Sequence, residues 1–130
     1  MRFTNKKVVV VGAAEKSIGQ AIARSLAAEG AQVCIFDINV ESAEKTAKQI
    51  TDAGGKAKVL KVNVLDYNSV KGAMETAIKE LGGIDCMVDT VGGGVFKPFK
   101  DFTPEFFNQQ WSLNGLSIFN CAHAVLGHFM

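Results

Sequence analysis

The chain has 130 residues, 48% of them hydrophobic and 21% charged, with a formal net charge of +1. That length suits one domain around one core. The near-neutral balance excludes an electrostatic case for nucleic acid or an anionic membrane surface as partner.

Residues 8–11 (VVVV) are a β-branched run of the kind found in a strand buried on both faces. Ile18, Ile22, Leu26 and Ala27, with Ala21, Ala23 and Ala28 between them, follow a helical period, and Gly30 is placed to stop that helix. Residues 32–36 (QVCIF) read as a second strand ending at Asp37. Residues 40–53 carry Ala43, Ala47 and Ile50 on one helical face, with Glu41, Glu44, Lys45, Lys48 and Asp52 on the other, before Gly54-Gly55. Residues 58–64 (KVLKVNV) alternate and predict a third strand. Asp66 is placed to cap a helix over 68–81 with Val70, Ala73, Met74, Ala77 and Leu81 inward, ended by Gly82-Gly83. Residues 84–88 predict a fourth strand running into Thr90-Val91-Gly92-Gly93-Gly94. After Phe96, Phe99 and Phe102, Thr103-Pro104-Glu105 starts a helix expected to reach about residue 128, with Gly115 and Gly127 as weak points.

Alternating strands and helices with short turns mean parallel strands and right-handed crossovers. The expected fold class is α/β: a Rossmann-type doubly wound parallel sheet, represented by about four strands with flanking helices. Residues 1–130 are expected to form a single, incomplete domain of this kind. Ligands of such sheets bind beyond the carboxyl ends of the strands. The 12–19 turn, Asp37, Asn63 and the 89–94 turn converge there. Gly12 can take backbone angles closed to other residues, and free amides at the following helix start suit a pyrophosphate. Gly19 lets helix and strand approach closely. Asp37 sits near the usual offset for an acid that accepts from adenosine ribose hydroxyls, and would repel a 2′-phosphate. Lys16 pulls weakly the other way. The expectation is NAD(H) rather than NADP(H).

In this order and spacing the chain resembles the N-terminal half of a short-chain dehydrogenase/reductase, over essentially its whole length. Gly12…Ser17-Ile18-Gly19 is similar to the family's Thr-Gly-x-x-x-Gly-Ile-Gly turn. Asn63-Val64 resembles its Asp-Val pair at adenine, and the segment from Asp85 to Gly92 its stretch ending Asn-Asn-Ala-Gly. Asn114 with Ser117-Ile118-Phe119 resembles its Asn-x-x-Gly-x-Phe helix, and Gly127-His128-Phe129-Met130 its Pro-His-Met helix end. The resemblance implies cofactor contacts from Gly12, Ser17, Ile18, Gly19, Asp37, Asn63, Val64 and Gly92, and a catalytic-relay role for Asn114. It also implies hydride transfer between nicotinamide and an alcohol or ketone. The serine and Tyr-x-x-x-Lys that carry that chemistry in the family would follow residue 130. Tyr67 and Lys71 spell Tyr-x-x-x-Lys, but at the start of the third helix, and read as coincidence.

The departures are specific. Val11 replaces the threonine and Ser17 the middle glycine, in a turn one residue longer than the common form. With an ordinary φ, Ser17 can cap the helix or bond a phosphate; with a positive φ it strains the turn. Asn63 drops a charge. Asp89-Thr90-Val91 stands for Asn-Asn-Ala, so either Asp89 has a partner or the cofactor site is altered and holds none. Two readings therefore stand beside the enzyme: a non-catalytic subunit that complements a homologous partner, and a nucleotide-sensing or scaffold domain.

Trp111 and the phenylalanines read as core and interface. The 103–128 helix predicts a homo- or hetero-oligomer of similar subunits, with a small-molecule substrate and no nucleic-acid or membrane partner. His123 and His128 read as packing residues. Cys34, Cys86 and Cys121 have no metal-ligand spacing, so no metal site is expected. They read as reduced thiols, with Cys34 and Cys86 buried in apolar runs. Residues 1–7 lack a signal-peptide core, and the expected location is cytoplasmic.

Overall fold

A computed structural model describes residues 1–130. In chain order the elements are β1 (Lys7–Val11), α1 (Ile18–Ala28), β2 (Gln32–Asp37), α2 (Val40–Asp52), β3 (Lys56–Lys61), α3 (Tyr67–Leu81), β4 (Cys86–Asp89), α4 (Pro104–Trp111) and α5 (Ser117–Phe129). A 3₁₀ turn over Phe99–Asp101 precedes α4, and a π-helical turn over Ser112–Leu116 joins α4 to α5. The strands form one parallel four-stranded sheet in the order β3-β2-β1-β4. This is the expected doubly wound, Rossmann-like arrangement. No helix is long and apolar enough to cross a membrane.

The valine run explains why β1 lies in the middle. Val8 and Val10 point to one face, where α1 and α2 pack with Ala23, Ala27, Ala43, Ala47 and Ile50. Val9 and Val11 point to the other, against Val70, Met74 and Ala77 of α3 and Cys121 and Val125 of α5. All four valines are at most 1% exposed. Each contributes roughly 1.5–3 kcal/mol by leaving water. The small residues of α1 and α2 let those helices lie close to the sheet. β3 is an edge strand bearing Lys56, Lys58 and Lys61, charges that discourage pairing with another chain. Lys58 bonds Glu80 of α3 at 2.7 Å.

Side chains start the helices as expected. Asp66 accepts from the N–H groups of Asn68 and Ser69, and Thr103 from that of Phe106. Several boundaries differ from expectation. β3 ends at Lys61 rather than 64, because Asn63 turns the chain by accepting from the Leu65 N–H. β4 starts at Cys86 rather than 84, where its register with Val8 begins. The Ile84 N–H instead donates to His128 Nε2 at 2.9 Å, and Asp85 accepts from the Lys7 N–H at 2.8 Å. That bond, with Lys6 beside it, holds the Asp85 carboxyl below the usual carboxylate range. The long fourth helix is interrupted near its expected weak point, Gly115, by the π-helical turn. Cys34 and Cys121 are buried, but Cys86 is exposed, because β4 lies at the margin of the sheet.

Candidate functional site

β1 ends at Val11 and hands over to Gly12, whose φ is +83° and whose N–H donates to the Phe36 carbonyl at 2.8 Å. The extra residue of the turn then shows its effect. Lys16 takes the left-handed conformation, with φ +65°, and Ser17 keeps an extended φ of −102°. Ser17 is therefore unstrained and caps α1: its Oγ accepts from the Gln20 N–H at 3.0 Å and donates to the Ala14 carbonyl at 2.7 Å. Whatever strain the turn holds lies one residue earlier than the sequence suggested. Gly19 is required by contact. A Cβ there would run into the Gly12 carbonyl and lie 2.7 Å from Thr90 Oγ1. The N–H groups of Ile18 and Gly19, at the positive end of α1, have no protein acceptor.

Asp37 ends β2 half-buried and orders its surroundings. Its Oδ2 accepts from the Ala14 N–H at 3.0 Å, and its Oδ1 from the Asn39 N–H at 2.9 Å. Each oxygen retains a lone pair for another donor. The turn is also tied to α2: the Glu15 N–H donates to Ser42 Oγ at 2.9 Å, and the Glu15 carboxylate lies 3.5 Å from Lys45 Nζ. Neither contact was legible from motif spacing, since both depend on the longer turn reaching α2.

A cleft of about 270 Å³ opens at the carboxyl ends of the strands. It brings together Gly12, Asp37, Asn63 and Val64, with Ile38 and Leu65 as apolar walls and Val91 and Leu113 opposite. Ile38 and Leu65 were not legible as site residues; Ile38 carried the signal of an apolar residue just past the terminal polar residue of a strand, and Leu65 carried none. Ser17, Ile18, Gly19, Gly92 and Asn114 lie outside this cleft. A larger hollow of about 570 Å³ lies at the opposite end of the sheet between α1 and α2, and holds none of the candidate residues. Asn63 Oδ1 is engaged by the Leu65 N–H, while its own N–H donates to Ser69 Oγ. The Val64 carbonyl accepts from Asn120 Nδ2 of α5 at 2.9 Å.

The end of β4 holds the departures. Asp89 Oδ1 accepts from the Val91 N–H at 2.9 Å, and Oδ2 is buried with no hydrogen-bond partner. Asp89 is therefore satisfied at Oδ1, and at its other side it faces the Cys121 thiol. Burial, with the Asp89 charge added, pushes the Cys121 thiol up to about 12. Thr90 Oγ1 lies 2.9 Å from the carbonyls of both Val11 and Gly12. Asn114 spends its whole side chain on backbone. Its Oδ1 accepts from the Gly93 N–H at 2.9 Å, and its Nδ2 donates to the carbonyls of Gly93 and Gln110, each at 2.8 Å. It clamps the turn after β4 from the π-helical segment. Gly92 leaves the room for this, since a Cβ there would lie 2.9 Å from Asn114 Oδ1.

A parallel sheet with a glycine turn, an unpaired helix start and an acid on the neighbouring strand end is a doubly wound α/β arrangement, a class whose ligands bind at the carboxyl ends of the strands. Within that class, residues 6–130 match the short chain dehydrogenase family, and the chain belongs to it. It is 36% identical over 114 residues to the uncharacterized oxidoreductase YuxG of Bacillus subtilis, covering 86% of this chain and 16% of that protein. It is 31% identical over 125 residues to the 7alpha-hydroxysteroid dehydrogenase of Escherichia coli, covering 96% of this chain and 48% of the relative. A short chain dehydrogenase structure from Mycobacterium smegmatis superposes with a TM-score of 0.94 at 27% identity, covering 98% of this chain and 53% of that one. The Escherichia coli hydroxysteroid dehydrogenase structure gives 0.90 at 31% identity, with 98% and 53% covered. The chain thus spans about half the length of most of these relatives, and less of YuxG.

Proposed function

We propose that these residues are the cofactor-binding portion of an NAD(H)-dependent short-chain oxidoreductase that acts on an alcohol or ketone. The observation that carries this reading is the pair of acceptor-free amides at Ile18 and Gly19, on the same sheet end as Asp37. Those amides and the α1 dipole would hold the pyrophosphate. Ser17 would shape that site as the helix cap. Asp37 would accept from the adenosine ribose hydroxyls with its remaining lone pairs. Ile38 and Leu65 would flank adenine, with Asn63 and Val64 at its edge. Gly12 and Gly92 would shape the site by letting Val91, Thr90 and Asn114 close onto the backbone beside it. When bound, the nicotinamide ring supplies or takes up a hydride. Asn114 acts by holding the Gly93 backbone, so it is a positioning residue for the nicotinamide end.

Titration of the full chain with NADH and NADPH, read by nicotinamide fluorescence, tests this. NADH is expected to bind at least about tenfold tighter, because Asp37 would face the 2′-position and a charged hydrogen bond is worth a factor of that size. Asp37→Ala should narrow the gap from the NADH side. Absence of NADH binding up to millimolar concentration overturns the reading.

A second reading, a non-catalytic subunit paired with a homologous partner, draws on the half-satisfied Asp89 and on the exposed apolar face of α4 and α5. Phe107, Trp111, Ile118, Phe119 and Leu126 are between 49% and 64% exposed there. Such a face suits association with a similar subunit. It is favoured if NADH fails to bind while the chain still assembles.

A further inference from the structure

Two of the residues that depart from the family pattern meet on one atom. Thr90 replaces an asparagine and Ser17 a glycine. Thr90 Oγ1 lies 2.9 Å from the Gly12 carbonyl oxygen, and Ser17 Oγ lies 3.3 Å from it. A third departure fits between them. Val11 lacks the hydroxyl of the threonine that the family carries at that position, and Thr90 brings one to the Val11 carbonyl from the opposing strand, again at 2.9 Å.

We propose that Thr90 and Ser17 form a hydroxyl clamp on the Gly12 carbonyl, and that this clamp positions the cofactor turn relative to β4. In effect a hydroxyl has moved from the end of β1 to the residue just past β4, and the turn's middle residue has gained one. Holding the Gly12 carbonyl fixes a whole planar peptide, and with it the direction of the Ala13 N–H. That N–H belongs to a fully buried residue and has no protein acceptor. The same hydroxyl of Thr90 lies 2.7 Å from where a Cβ on Gly19 would fall, so it also borders the close approach of turn and helix. Each hydroxyl has one hydrogen to give. Thr90 shares its hydrogen between two carbonyls, and Ser17 gives its hydrogen mainly to Ala14. Thr90 is therefore the stronger member of the pair, and Ser17 supports it.

The consequence for binding rests on the cofactor reading above, but the clamp has a test of its own. The amides of Gly12, Ala14, Glu15 and Lys16 are hydrogen-bonded, so their hydrogen exchange reports the order of the turn. In the full chain, Thr90→Val should speed exchange of these amides about tenfold, the factor expected for one hydrogen bond. Amides of β2 and β3 should be unaffected. Thr90→Ser, which keeps the hydroxyl, should restore slow exchange. Ser17→Ala should have a smaller effect, and should add less in the Thr90→Val background than in the parent.

If exchange in Thr90→Val matches the parent, or if Thr90→Ser behaves like Thr90→Val, the clamp is overturned. Where the parent binds NADH, Thr90→Val should raise the Kd several-fold and Thr90→Ser should not. An unchanged Kd overturns the positioning role. Where the parent binds no NADH, the cofactor reading falls, and the exchange rates decide the clamp alone.

Discussion

The 12–19 turn and the 104–129 helical segment both border the cleft, but they are built on opposite principles. In the turn, most polar groups are committed to nearby protein atoms: Ser17 to Gln20 and Ala14 within the turn, and Ala14 and Glu15 to Asp37 and Ser42 of the neighbouring β2 and α2. The exceptions are the amides of Ala13, Ile18 and Gly19. The helical segment is anchored through a few contacts, chiefly Asn114 to Gly93, Asn120 to Val64, and buried Cys121 and Val125. It leaves much of its apolar surface to solvent, including Trp111 at 64% and Phe119 at 58%. One region is hydrogen-bonded throughout, save for three amide donors. The other leaves an apolar face open.

The largest effect should come from filling the close approach of turn and helix. Gly19→Val places side-chain atoms on the Gly12 carbonyl and on Thr90. It should destabilise the fold by about 3 kcal/mol in urea unfolding and abolish NADH binding. A variant that binds normally would mean the turn is looser than this geometry. Next is the alkaline limb of stability. Burial raises the thiols of Cys34 and Cys121 from 9.0 to about 12, so they stay protonated in the folded chain while the unfolded chain ionises them first. The stability they lend is whole below pH 9.0 and is lost as pH rises toward about 12, measurable as a falling urea midpoint. At pH 8 a thiol reagent should modify only Cys86 in the folded chain. Asp89→Asn comes third. It removes the charge of a partly buried carboxylate whose Oδ2 is buried without a partner while leaving an acceptor for Val91, and should stabilise by about 1 kcal/mol. Smallest is Trp111→Glu, which should change monomer stability by less than about 0.5 kcal/mol. It should nevertheless shift sedimentation toward smaller species, and no shift would mean that this apolar face takes no part in association.

The sheet and its central strand were legible because a four-valine run leaves little alternative to burial on both faces. The helix starts were legible because Ser17, Asp66 and Thr103 cap by local chemistry. Asp37 and the 12–19 turn could be placed at one sheet end from topology alone. Register was less accessible: β4 begins where β1 offers it a partner, a long-range fact absent from residues 84–88. The exposed position of Cys86 follows from the same margin. Thr90 was read only as a departure, because its value depends on two carbonyls on another strand. Asn114 stood out only through its resemblance to a family helix residue, and its partners Gly93 and Gln110 could not be named without the π-helical turn. Nothing in the composition of residues 112–116 announces that turn beyond Gly115.

That turn has a consequence for how the helix can be aligned and altered. One residue inserted into an α-helix swings all that follows by about 100°. The stripe of Ser117, Asn120, Cys121 and Val125 that docks against the sheet is therefore out of phase with residues 104–111, where nothing is buried. An uninterrupted helix could satisfy one end or the other: Asn114 over Gly93, or Cys121 in the core. Deleting a single residue between 112 and 116 would turn the two halves into rivals for the same angular setting.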